Sequence, residues 1–182
     1  MDGFGRREFQ LVLLRRMGDF QPDLVLEAAR RLGASRTEMR EVNARWQRFV
    51  RARSAPRGVA RLRAVLGPPE EVAERPLGDV HCRASRWTLP LWPEFRYEAL
   101  AGPEGTLLQE WLVRPESSPI PDLTSVADLA PWSCVVGDVA QAFAPVTHLD
   151  GEGPSRWAVT FTTPEGTAHT AHFTWGLLQS VT

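Results

Sequence analysis

The tripeptide Gly67-Pro68-Pro69 divides a chain of 182 residues into two stretches with different hydrophobic periods. Before it, apolar residues recur every three or four positions; after it, they alternate. Proline fixes φ and lacks an N–H, and it pushes the preceding residue out of the helical region, so neither a helix nor a central strand runs through this point. The expected fold class is α+β. A helical unit of about four helices occupies residues 1–66, a linker follows at 67–79, and a mainly antiparallel β domain fills 80–182.

Charge follows the same division. The formal net charge is only −1, yet residues 1–66 hold 15 Arg against 7 acids, a net +8, and residues 67–182 hold 6 Arg against 15 acids, a net −9. All 21 basic residues are Arg. A strongly basic half joined to an acidic half is the pattern of a nucleic-acid-binding part joined to a part with another task. Solvated Arg stems covering apolar helix surface are the plainer reading of the same residues.

In the basic half, Phe9, Leu11, Val12, Leu13 and Leu14 make a first, mostly buried helix, which Gly18 and Asp19 end. Pro22 or Asp23 opens a second. Its end, AARRLG from Ala28 to Gly33, places two small residues where a neighbouring helix must approach closely, and then a glycine able to take the positive φ of a helix stop. Ser35 is the expected N-cap of a third helix, with Glu38 in the reciprocal capping-box position. Met39, Val42, Trp46, Phe49 and Val50 form the apolar stripe of that helix, while Arg36, Thr37, Arg40, Asn43 and Gln47 face elsewhere. Pro56 breaks it, and Gly58 to Leu66 make a short fourth helix.

The segment LGASRTEMREV resembles the turn and early recognition helix of bacterial helix-turn-helix repressors, the winged GntR class among them. The resemblance covers about twenty residues. It implies that the third helix enters the major groove of double-stranded DNA, with Arg36, Thr37 and Arg40 at base edges and Asn43 and Gln47 on the same face. Arg57 and Arg61, in a second basic cluster, would grip phosphates. On this reading the chain is a bacterial transcriptional regulator, its acidic domain pairing two subunits or sensing a ligand. A homodimer is expected because one recognition helix reads too few base pairs. Two alternatives stay open: a protein-interaction module, adaptor or inhibitor, whose Arg-rich helices meet an acidic partner, and an enzyme with an unsigned site in the β domain.

In the acidic half, Val80 to Leu89 is an expected strand. Two hairpins follow, Phe95–Ala101 with Thr106–Val113 and Arg156–Thr162 with Thr167–Trp175, each turning on a Pro-Glu-Gly-Thr segment. Pro115 to Pro131 reads as a long connection, Val135 to Phe143 as a short strand or helix, and Asp150 to Pro154 as a loop. Trp157, Val159 and Phe161, with Ala171, Phe173 and Trp175, supply an apolar sheet face.

No catalytic constellation stands out. His169 and His172 are three apart on an expected strand and so point to opposite faces. There is no phosphate-cradling Gly loop and no nucleophile elbow, so no catalytic residue, metal or cofactor is assigned. Cys82 and Cys134 lie far apart in sequence and are expected as free, buried thiols. No run of eighteen apolar residues and no charged-then-apolar start are present, which makes no membrane partner and a cytoplasmic location the default expectation. The sequence names no small-molecule ligand.

Overall fold

The computed structural model describes residues 3–182. Its order is α1 (Arg6–Met17), α2 (Pro22–Arg31), α3 (Arg36–Arg51) and α4 (Gly58–Leu66), then β1 (Glu71–Leu77), β2 (Val80–Trp87), β3 (Arg96–Ala101) and β4 (Leu107–Val113). After these come α5 (Val136–Ala142), β5 (Thr147–Gly153), β6 (Arg156–Thr162), β7 (Ala168–Thr174) and β8 (Leu177–Val181). Both sheets are antiparallel and four-stranded, ordered β1-β2-β3-β4 and β5-β6-β7-β8. The fold is α+β with a helical start.

The chain forms two compact units. One runs through Pro93 and includes Tyr97–Glu110; the other comprises Glu94–Arg96 and Trp111–Thr182. The boundary therefore differs from the break in composition. Where a linker is expected at 67–79, the chain forms β1, which pairs with β2 from Glu71↔Arg86 to Leu77↔Val80. β1 escapes a periodicity reading because nearly all its side chains are exposed and it contains Pro76. An edge strand has no need to alternate.

In the first unit, α1 is apolar almost all round, with Phe9, Leu11, Val12, Leu13, Leu14 and Met17 buried, so it forms the centre on which the other helices pack. Its one buried polar side chain, Gln10, is satisfied: the amide donates to the Arg6 carbonyl at 3.2 Å and its oxygen accepts from the Leu91 N–H at 2.8 Å. α3 lies on α1 through Met39, Val42 and Trp46, and Trp46 stacks on Phe4 at 5.5 Å and meets Phe9 edge-on at 5.6 Å. Trp87 and Tyr97 are opposite one another on β2 and β3. The Trp87 indole N–H donates to the Gly67 carbonyl at 3.0 Å, and the Tyr97 ring meets Phe9 at 5.0 Å, which ties this sheet face to the helices.

The other face of the same sheet carries a buried ion network. Glu98 on β3 receives Arg86 Nε at 2.7 Å and Arg75 Nη1 at 3.3 Å, and Arg86 also pairs with Glu71. Burial works against the charge on Arg86, but the hydrogen bond and charge of Glu98 outweigh it and raise its pKa further.

In the second unit, Val159 and Phe161 on β6, Ala171 and Phe173 on β7, and Leu178 on β8 pack with Cys134, Val139 and Phe143 into one core. Both expected hairpins form. Their two Pro-Glu-Gly-Thr turns differ, however: the first is a 3-10 turn in which Glu104 takes φ 64, whereas at the second only Gly166, φ 87, enters the left-handed region. Of the two forms expected for Val135–Phe143, the helix is the one present, as α5. Two readings are corrected. The expected loop at 150–154 is strand β5 as far as Gly153, across a bulge. Trp175 leaves the face of β7, because it takes φ 53 in the turn to β8. The adjacent Gly176 is obligatory: a Cβ there would lie 2.7 Å from the Leu112 carbonyl oxygen.

Candidate interaction site

The corner between α2 and α3 forms as its residues dictate. Gly33 has φ 63, and Ser35 caps α3 by accepting from the Glu38 N–H at 3.1 Å. Arg7 of α1, which the sequence does not mark out, braces the corner. Its Nε donates to the Leu32 carbonyl at 2.8 Å, Nη2 to the Gly33 carbonyl at 3.3 Å, and Nη1 to Glu38 at 2.8 Å and Glu8 at 3.0 Å. The hydrogen bond from Arg7 and its charge, helped by the Ser35 N–H, hold the Glu38 carboxyl below its usual range.

This brace sorts the arginines of the first unit into two kinds. Arg6 pairs with Glu70, Arg7 with Glu38 and Glu8, Arg83 with Glu74, and Arg86 with Glu71 and Glu98. By contrast Arg15, Arg16, Arg30, Arg31, Arg36, Arg40, Arg48, Arg51, Arg53, Arg57 and Arg63 are exposed and form no ion pair among the described residues. Of these, Arg36, Arg40, Arg48 and Arg51 lie on α3. Arg40, Arg48 and Arg51 project from its solvent side, and Arg36 sits one turn before Arg40.

The seven residues expected to touch DNA are not equivalent in the structure. Arg36, Thr37, Arg40 and Arg57 are exposed, and Arg57 stands at the N-cap of α4. Asn43 and Gln47 share the flank of α3 with Arg36 and Arg40 but are half-buried. Arg61 is turned inward: its guanidinium lies over the Trp46 ring, 5.9 Å from the centroid, its Nε is buried, and its charge acts on the Glu110 carboxyl. Arg45 of the second basic cluster is likewise over an aromatic ring, 5.7 Å from that of Phe4. Side chains spread on rings in this way contribute to packing and are poorly placed to grip phosphates.

Among the described residues, two cavities of this unit bear on these arginines. The larger, about 490 Å³, lies among α4, the sheet and the turn at Pro103–Gly105, and holds Arg63 and Arg83 together with Glu74 and Glu104, so its charge is balanced within its own walls. The smaller, about 210 Å³, lies where the end of α1 meets the starts of α2 and α3. It brings Arg15 together with Arg36 and Arg40 around Val25, Leu26 and Met39, and no acidic residue lines it. The only sequence sign of Arg15 here is the Arg15-Arg16 pair that closes the apolar run of α1.

No family model matches the chain, and no curated protein matches it. A solved Streptococcus mutans protein, named "putative beta-lactamase inhibitor protein", is similar at 11% identity over 71% of this chain and 83% of that one, with a TM-score of 0.30. The expectation of a DNA-binding regulator is corrected. The residues give the physical reason: Arg61 and Arg45 are taken up by aromatic rings, and Asn43 and Gln47 are half-buried. Among the described residues no helix is long and apolar enough to cross a membrane.

Proposed function

We propose that this chain is a protein-interaction module, an adaptor or inhibitor, whose Arg-rich helices meet an acidic partner. The observation that carries the reading is the row of exposed arginines along α3 that form no ion pair among the described residues, in contrast to Arg6, Arg7, Arg83 and Arg86 of the same unit, which hold acids of their own chain. A cationic face left without internal partners keeps its potential for an external anion and speeds encounter with it. On this reading the helix-turn-helix-like corner is a rigid mount for arginines. Dimerisation loses its earlier reason, since that rested on the short reach of one recognition helix in DNA. A cytoplasmic location belongs to the same reading and agrees with two free, buried thiols.

The test is fluorescence anisotropy of the full chain with labelled poly-glutamate and with a random-sequence DNA duplex of matched charge, at near-physiological salt. The acidic polypeptide should bind tighter, and the double variant Arg40→Glu/Arg48→Glu should weaken it by roughly tenfold or more, as expected for reversing two interface charges. Absence of polypeptide binding, or DNA binding as tight with the same dependence on these residues, rejects the proposal.

A further inference from the structure

We infer that the depression formed by α1, α2 and α3 is the anchor of this interaction, and that one extended acidic segment of the partner enters it with a carboxylate and a neighbouring apolar side chain. The inference rests on the reading of the helices as a protein-binding surface and adds the chemistry of what binds. Three observations support it.

The first is charge. Arg36 and Arg40 are one turn apart on α3, and Arg15 faces them from α1, so three guanidinium groups surround a recess with no acid in its lining. Like charges gathered at a concave surface repel one another and concentrate positive potential there, and a carboxylate relieves both effects. Arg36 and Arg40 offer forked donors to the two oxygens of one carboxylate. The positive end of the 16-residue helix α3 lies on the same side.

The second is the floor. Val25 and Met39 are 2% and 5% exposed and Leu26 is half-buried, so the recess beneath the arginines is apolar. A phosphate or a lone carboxylate leaves such a floor in contact with water; a Leu, Met or Phe side chain beside the carboxylate covers it. The third is size. A volume of about 210 Å³ is below the roughly 300–1,000 Å³ of small-molecule sites and suits a side chain inserted from a larger partner. The 490 Å³ cavity fails the first criterion, because its arginines already face Glu74 and Glu104.

The experiment uses the full chain and two labelled peptides of equal length and charge, one repeating Glu-Leu among Gly and Ser, the other with every Leu replaced by Ser. The Glu-Leu peptide should bind about tenfold tighter. Leu26→Ser should remove that preference, and Arg15→Gln or Arg36→Gln should weaken both peptides. Arg15 is exposed at a helix end, so its variant keeps the fold if Leu26→Ser does not. Equal binding of the two peptides, or competition by inorganic phosphate as effective as that by the Glu-Leu peptide, overturns the anchor. If both peptides bind and neither depends on Arg15 or Arg36, the anchor is rejected and the interaction module stands. If neither peptide nor poly-glutamate binds, both fall.

Discussion

Arg86 and Glu98 stand directly opposite each other on β2 and β3, both buried, with Nε 2.7 Å from Oε2. Both side chains are buried, so the value of the pair lies in its completeness. Glu98→Ala leaves Arg86 only its half-exposed partner Glu71 and should cost about 3 kcal/mol of folding free energy, whereas Arg86→Met/Glu98→Leu should recover most of that loss. Urea unfolding of the three proteins checks this. A double variant no more stable than the single one would show that the network does more than neutralise itself.

The corner that mounts α3 makes a smaller, separable prediction. Ser35→Ala removes the acceptor for the Glu38 N–H and should cost about 1 kcal/mol. Gly33→Ala meets no atom within 4 Å, so only the positive φ is at stake and the loss should be roughly 1 kcal/mol, less for Gly33→Asn. Chemical denaturation midpoints at constant m-value give both figures. A loss of several kcal/mol at Gly33 would point to a packing role instead.

Glu110 accepts a hydrogen bond from the buried Tyr97 hydroxyl, and burial, against the opposing pull of Arg61, raises its carboxyl above the ordinary 4.5. Between 4.5 and the raised value the folded chain keeps a proton that the unfolded chain has released. The contribution of Glu110 to stability is therefore full below 4.5 and is lost as pH rises through the folded value. The difference in unfolding free energy between wild type and Glu110→Gln should fall from about pH 4 to pH 8. A difference that stays flat or grows with pH would contradict the burial of this group.

The two thiols should be silent in the native protein. Cys82 is 1% exposed and Cys134 0%, and burial pushes the Cys134 thiol up to about 12, so almost no thiolate is present to react. Titration with a chromogenic disulfide reagent is expected to find no fast-reacting thiol before unfolding and both after it. A rapid thiol in the native chain would mean that one of these cores opens locally.

Much of the fold could be read from residue order because its signals are local. Pro22 opens α2, Gly33 and Ser35 turn the chain into α3, and alternation marks β2, β6 and β7, since backbone sterics and side-chain period act within a few residues of each site. β1 and β5 were not readable, because an exposed edge strand and a bulged strand need not alternate and their pairing is decided by distant partners. Where the chain divides into units was equally hidden. Composition changes at Gly67, but the strands that follow fold back onto the helices through Trp87 and Tyr97.

The candidate site divides along the same line. Residue order alone makes one half basic, gives α3 a polar flank and puts Arg36 and Arg40 on it, because charge and helical spacing belong to the chain. Which arginines are paired depends on packing. Arg7 meets Glu38 across 31 positions, Arg61 folds over Trp46, and Arg15 arrives beside Arg36 and Arg40. Fifteen arginines in the first half look alike in sequence; an ion pair between residues far apart in the chain exists only once packing has brought them within a few ångströms, where the Coulomb energy outweighs screening.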